Sequence, residues 1–132
     1  MKDGYGINEH LIRYAYEEGV DTILTCDNGI AAVEQTKLAK SLGMTILITD
    51  HHEVQEEIPP ADAVVNPRQA DCPYPFKHLC GAAVAYKVIC CLYEAYGIPK
   101  EETEEFLEFA GDLPLLGHNL RFDYSFLKTA AL

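Results

Sequence analysis

Two places in this 132-residue chain concentrate groups able to grip a cation. Asp50, His51 and His52 stand in an unbroken row behind the apolar, β-branched run Thr45-Ile46-Leu47-Ile48-Thr49, and Asp27 closes a second such run. One carboxylate beside two imidazoles is an oxygen and nitrogen donor set suited to a catalytic divalent metal, which polarises a phosphoryl oxygen or activates a water. Taken alone, the triplet serves as well for capping or for solvated loop histidines. A companion carboxylate at a neighbouring strand end shifts the balance toward ligation.

The elements around these residues must deliver them to one place. Residues 45–49 read as a short buried strand, with charge arriving only where the strand leaves the sheet. Upstream, Asn8 can cap a helix over residues 9–18, with Leu11, Ile12, Tyr14 and Ala15 on its apolar face and Gly19 as a left-handed terminator. Residues 20–26 read as a strand ending in the turn Asp27-Asn28-Gly29, which leads into a helix over residues 30–42 closed by Gly43. Strand, helix, strand with short turns is a βαβ unit with parallel strands. Both strands then finish on the same edge, where ligands collect in open α/β sheets. Asp27 would meet His51 and His52 there.

Residues 63–65 form a third short strand ending at Asn66-Pro67. The segment from 68 to 77 is an ordered loop too rich in proline for regular structure. Its Arg68 and Lys77, with His78, can contact a phosphate or simply be solvated. An apolar helix follows over residues 80–96, ended by Gly97, then an acidic amphipathic helix over residues 101–109. Residues 115–119 suggest a short strand and turn, and residues 123–132 a last helix. The fold expected is α/β, a three-layer Rossmann-like parallel sheet with flanking helices.

Composition narrows the function. Hydrophobic residues make up 48% of the chain, enough for a core, and no apolar run is long enough for a membrane span. The five cysteines show no zinc spacing, which fits a reducing compartment, and no signal sequence opens the chain. A soluble cytoplasmic protein without membrane partners is expected. The net charge of −11 argues against holding nucleic acid by phosphate neutralisation alone, although a metal site can still bring phosphate to an acidic protein.

The ordered series Asp27-Asn28-Gly29-Ile30, Thr49-Asp50-His51-His52-Glu53, Asn66-Pro67-Arg68, Cys72-Pro73-Tyr74-Pro75-Phe76 and Cys80-Gly81-Ala82-Ala83-Val84-Ala85-Tyr86-Lys87 resembles the RecJ single-strand-specific exonucleases. These belong to the DHH phosphoesterase superfamily, named for the Asp-His-His triplet. The resemblance implies a partial DHH domain over residues 1–109 that hydrolyses single-stranded DNA from its 5′ end with Mn2+ or Mg2+. It implies Asp27 and His51 as metal ligands, Asp50 orienting the site, and His52 contacting phosphate or supplying a proton. It also places Arg68 and the Gly81-Ala82-Ala83 turn near the substrate. RecJ-like chains carry an Asp-x-Asp strand before the Asp-Gly-Tyr-Gly segment at which this chain starts, and only Asp112 matches a later ligand aspartate by position. The expectation is an incomplete nuclease core, weak or inactive alone, with an exposed sheet edge through which a homo-oligomer could form.

The stretch from Leu115 to Leu127 resembles the second exonuclease motif of DnaQ-like 3′-to-5′ exonucleases, His118-Asn119 followed by Phe122-Asp123. That resemblance implies a short DnaQ-like segment over residues 110–132, with Asp123 as a further metal ligand supported by Asn119. Two other functions fit the same residues: a catalytically silent fragment serving as a binding or structural module, and a small-molecule phosphoesterase or pyrophosphatase of the DHH superfamily.

Overall fold

The structure, a computed structural model, describes residues 6–99, so the helices expected over 101–109 and 123–132, the strand near 115–119, Asp123 and the division near residue 109 lie outside the described residues. The described elements run α1 (Glu9–Glu17), β1 (Thr22–Cys26), α2 (Val33–Ser41), β2 (Thr45–Thr49), β3 (Ala63–Val65) and α3 (Gly81–Tyr96). Residues up to Gly81 make one compact unit, and a second unit begins at Ala82 with the rest of α3.

Helix α1 begins where expected. Asn8 is extended, and its side-chain oxygen accepts the Leu11 N–H at 2.9 Å. The helix ends in a glycine cap at φ 81, the Gly19 N–H donating to the Tyr16 carbonyl and the Val20 N–H to that of Ala15. That closure explains why β1 starts two residues later than the apolar pattern suggests, because Val20 is committed to the helix end. The inward face of α1 is also narrower than expected. Ile12 is buried and Ala15 packs against the core, but Leu11 and Tyr14 are 41% and 56% exposed. Each precedes an inward residue by one position, about 100° round the helix.

The sheet is parallel throughout, in the order β1-β2-β3. Ile46 and Ile48 of β2 pack with Ile12 of α1, Ala39 of α2 and Met44 to form the core. This is the α/β architecture of a parallel sheet with flanking helices that the alternating pattern predicts. Asp62 trims the sheet: its carboxylate accepts the Ile46 N–H at 2.8 Å, just before β3 begins pairing at Leu47. The Lys40 ammonium, 2.6 Å away, and that N–H hold the Asp62 carboxyl below the usual carboxylate range.

Register decides what happens at the edge. Cys26 pairs with Thr49 and Thr49 with Val65, so all three strands of the sheet stop level. The residues that follow, Asp27, Asp50 and Asn66, therefore emerge side by side. None of the five cysteines is disulfide-bonded, and among the described residues no helix is long and apolar enough to cross a membrane.

Candidate metal centre

Asp27 leaves β1 at φ 61, the only non-glycine residue in the left-handed region among those described. Asp tolerates that region better than most side chains, at a cost of about 1–2 kcal/mol. Hydrogen bonds from β2 and β1 hold it there. The Asp27 N–H donates to the Thr49 carbonyl at 3.0 Å, and the buried Thr25 hydroxyl donates to the Asn28 carbonyl at 2.7 Å. Gly29, at φ 114, lets the chain pass Thr25 and Ile48, where a Cβ would come within 3.0 Å of the Thr25 hydroxyl oxygen and 3.1 Å of an Ile48 methyl carbon. The kink turns Asp27 toward His51, whose Nε2 lies 2.9 Å from Asp27 Oδ1.

Asp50 shapes the other side. Its side chain is buried and collects four donors: Ile30 N–H on Oδ2 at 2.9 Å, and on Oδ1 the His51 N–H at 2.7 Å, the His52 N–H at 3.2 Å and His52 Nδ1 at 2.7 Å. Burial alone would raise its carboxyl, but these hydrogen bonds outweigh it and hold Asp50 below its ordinary value. Ile30 thus docks on Asp50 ahead of α2, which starts at Val33 rather than at residue 30. An ionised Asp50 can only accept, so His52 carries a proton on Nδ1, and in the neutral ring this tautomer leaves the lone pair on Nε2. The rings of His51 and His52 lie 4.5 Å apart, tilted by 50°.

Asp27, His51 and His52 can each present a donor atom within 4.8 Å of the other two, a spacing that suits ligation of one cation. An open cleft of about 310 Å³ borders Asp27 and His52, lined also by Ile7, Ile30, Gln35 and Asp50. The profile of the DHH family, N-terminal domain, matches residues 3–115. The chain belongs to the DHH family. Among its relatives, the single-stranded-DNA-specific exonuclease RecJ of Bacillus subtilis is 45% identical over 110 residues, covering 83% of this chain and 13% of that protein. RecJ of Haemophilus influenzae is 35% identical over 120 residues, 89% of this chain and 21% of that one. A solved structure of exonuclease RecJ bound to manganese matches with a TM-score of 0.64 and 31% identity, over 74% of this chain and 24% of the other. The DHH chain thus spans about a fifth or less of the length of these two curated relatives.

The remaining expected residues of this DHH chain fall into different surroundings. Gly81 lies against Asp27, so closely that a Cβ on it would stand 2.5 Å from the Asp27 carboxyl carbon. Ala82 is half-buried at the start of the second unit. Arg68 pairs with Glu53 and reaches His78, while Lys77 donates to the Cys72 carbonyl at 2.6 Å.

Asn66 is the residue that sequence reasoning passed over. Fully buried, it donates to the His52 carbonyl at 3.0 Å and accepts the Arg68 N–H at 2.9 Å, tying the end of β3 to the DHH turn. Its signals in the sequence are its position, directly after a short strand and before proline, and its place in the Asn66-Pro67-Arg68 motif, neither of which reveals this bridging role. Asn66→Ala would leave two part-buried backbone groups without this partner and should cost about 1–2 kcal/mol of stability, read as a lower urea midpoint.

Proposed function

We propose that this chain is part of a metal-dependent nuclease core that hydrolyses phosphodiester bonds of single-stranded DNA from the 5′ end. The observation that carries the reading is the convergence of Asp27, His51 and His52 at one sheet edge. These three would hold Mn2+ or Mg2+, and nitrogen donors suit a transition-metal ion better than Mg2+, which prefers oxygen. Three protein donors leave room in a six-coordinate shell for water and phosphate oxygens. When bound, a divalent cation stabilises the charge that develops on the phosphoryl group and activates the attacking water.

The chain's own residues do the rest. Asp27 and His51 face each other at 2.9 Å and would both donate to the cation, which requires the His51 nitrogen facing Asp27 to be free of its proton. Asp50 fixes the ring of His52 and its tautomer, which keeps Nε2 available to the cation or to a phosphate oxygen. The names of the RecJ relatives support DNA as substrate, and the manganese in the solved RecJ structure supports the choice of ion.

Calorimetric titration with Mn2+ tests the site. Wild type should saturate, and His51→Gln should bind about tenfold more weakly or worse. Equal binding by the two proteins would refute the assignment. Nucleotide release from single-stranded DNA, set against pyrophosphate and short diesters, tests the substrate: a preference for the small molecules would replace the nuclease reading with a small-molecule phosphoesterase.

A further inference from the structure

Arg68 is seated in an unusual manner for a loop cation. Its backbone is anchored through Asn66 to the carbonyl of His52, and its side chain is only 24% exposed. One terminal nitrogen meets Glu53, the other lies 3.5 Å from His78 Nδ1, and the buried Nε has no hydrogen-bond partner among the described residues. Its counter-ion is held differently: the Glu53 side chain is 75% exposed. The cation is fixed and largely covered, whereas the anion that neutralises it sits in solvent and can leave. On the Glu53 side the pair is screened by solvent, which limits what it contributes and leaves the carboxylate exchangeable.

The geometry suits another anion. A guanidinium presents parallel N–H donors that match two oxygens of a phosphate. His78 adds a second donor, since its Nδ1 faces the Arg68 N–H and must accept, leaving the proton on Nε2. Its ring is steadied edge-on by Phe76, with centroids 5.9 Å apart. In a chain of net charge −11, a basic pair beside the DHH turn is a scarce resource for meeting phosphate.

We infer that Arg68 and His78 form a phosphate subsite for the backbone of a nucleic acid strand, and that the Glu53 carboxylate is its resting counter-ion, displaced when the strand binds. The choice of nucleic acid as ligand rests on the nuclease reading above; the Glu53 exchange does not. Glu53 then sets a threshold, since a strand must outcompete a tethered carboxylate before Arg68 engages it.

The test is fluorescence anisotropy of a labelled oligothymidylate with the full chain in EDTA, so that failure of the metal reading leaves it unaffected. Glu53→Gln should tighten binding about two- to fivefold. Glu56→Gln, which removes the same charge three positions away, should have a smaller effect. Arg68→Gln should weaken binding and flatten the slope of log affinity against log salt by about 0.7, the loss of one phosphate contact on a single strand. His78→Ala should weaken binding as well, and in the Glu53→Gln/Arg68→Gln double variant the gain should vanish. A Glu53→Gln effect no larger than that of Glu56→Gln, a gain that survives without Arg68, or no measurable binding by either wild type or Glu53→Gln would overturn the proposal.

Discussion

Replacing Gly81 by alanine should weaken Mn2+ binding by about a hundredfold while leaving the fold largely intact. The glycine is not required by its backbone, because Gly81 is absent from the positive-φ glycines of the described chain. It is required for space. A Cβ at this position would come within 2.5 Å of the carboxyl carbon and Oδ1 of Asp27 and 2.6 Å of its Cβ. Rotating the side chain about χ1 relieves only the first two contacts. The third involves an atom fixed to the backbone, so the main chain at Asp27 has to shift, and the placement of one of three proposed ligands shifts with it. Mn2+ calorimetry alongside urea denaturation checks this. Unchanged affinity would show that Asp27 is not a ligand, whereas a collapse in stability matching the loss of affinity would make Gly81 a purely structural residue.

Asp50→Asn should cost about 3 kcal/mol of stability at neutral pH, the scale of losing charge-assisted hydrogen bonds at a buried site. The carboxylate accepts from donors on both oxygens, and an amide must turn its own NH2 toward one of those groups. Either Ile30 or the turn of His51 and His52 loses its partner. The same substitution releases His52 from its tautomer, so Mn2+ affinity should fall roughly 10- to 100-fold.

The pH dependence has a definite sign. Because the folded-state pKa of Asp50 lies below its ordinary value of 3.8, its contribution is complete above that value and is lost as pH falls through the lower folded value. The gap in urea midpoint between wild type and Asp50→Asn should therefore be full at neutral pH and close in strong acid. A gap that does not narrow there would mean that the carboxylate's charge is not what stabilises the turn.

Much of the centre was readable before any coordinates. An apolar run such as Thr45–Thr49 can hardly be other than a buried strand, and two such runs joined by a helix must be parallel. Parallel strands end together, which brings Asp27 to His51 across a separation no local pattern spans. The start of β1 was less legible for a local reason: Val20 closes α1, a use of a backbone N–H that hydrophobic periodicity cannot register. Tertiary choices were invisible. Nothing in the neighbourhood of Gly81 announces that its missing side chain makes room for Asp27, and nothing near Asn66 announces that it joins His52 to Arg68. Leu11 and Tyr14 misled because a helix with several apolar residues does not declare which of them face the sheet.

The left-handed backbone at Asp27 limits the alphabet at that position before any coordination chemistry is considered. Glutamate would offer a cation the same oxygens, yet it lacks the short polar side chain that makes this conformation tolerable, and asparagine or glycine would fit the kink without bringing the charge. Aspartate alone meets both demands. Anyone transplanting the proposed grip into another parallel sheet would have to copy the bend of the main chain along with the side chains, because the choice of aspartate is written partly in torsion angles.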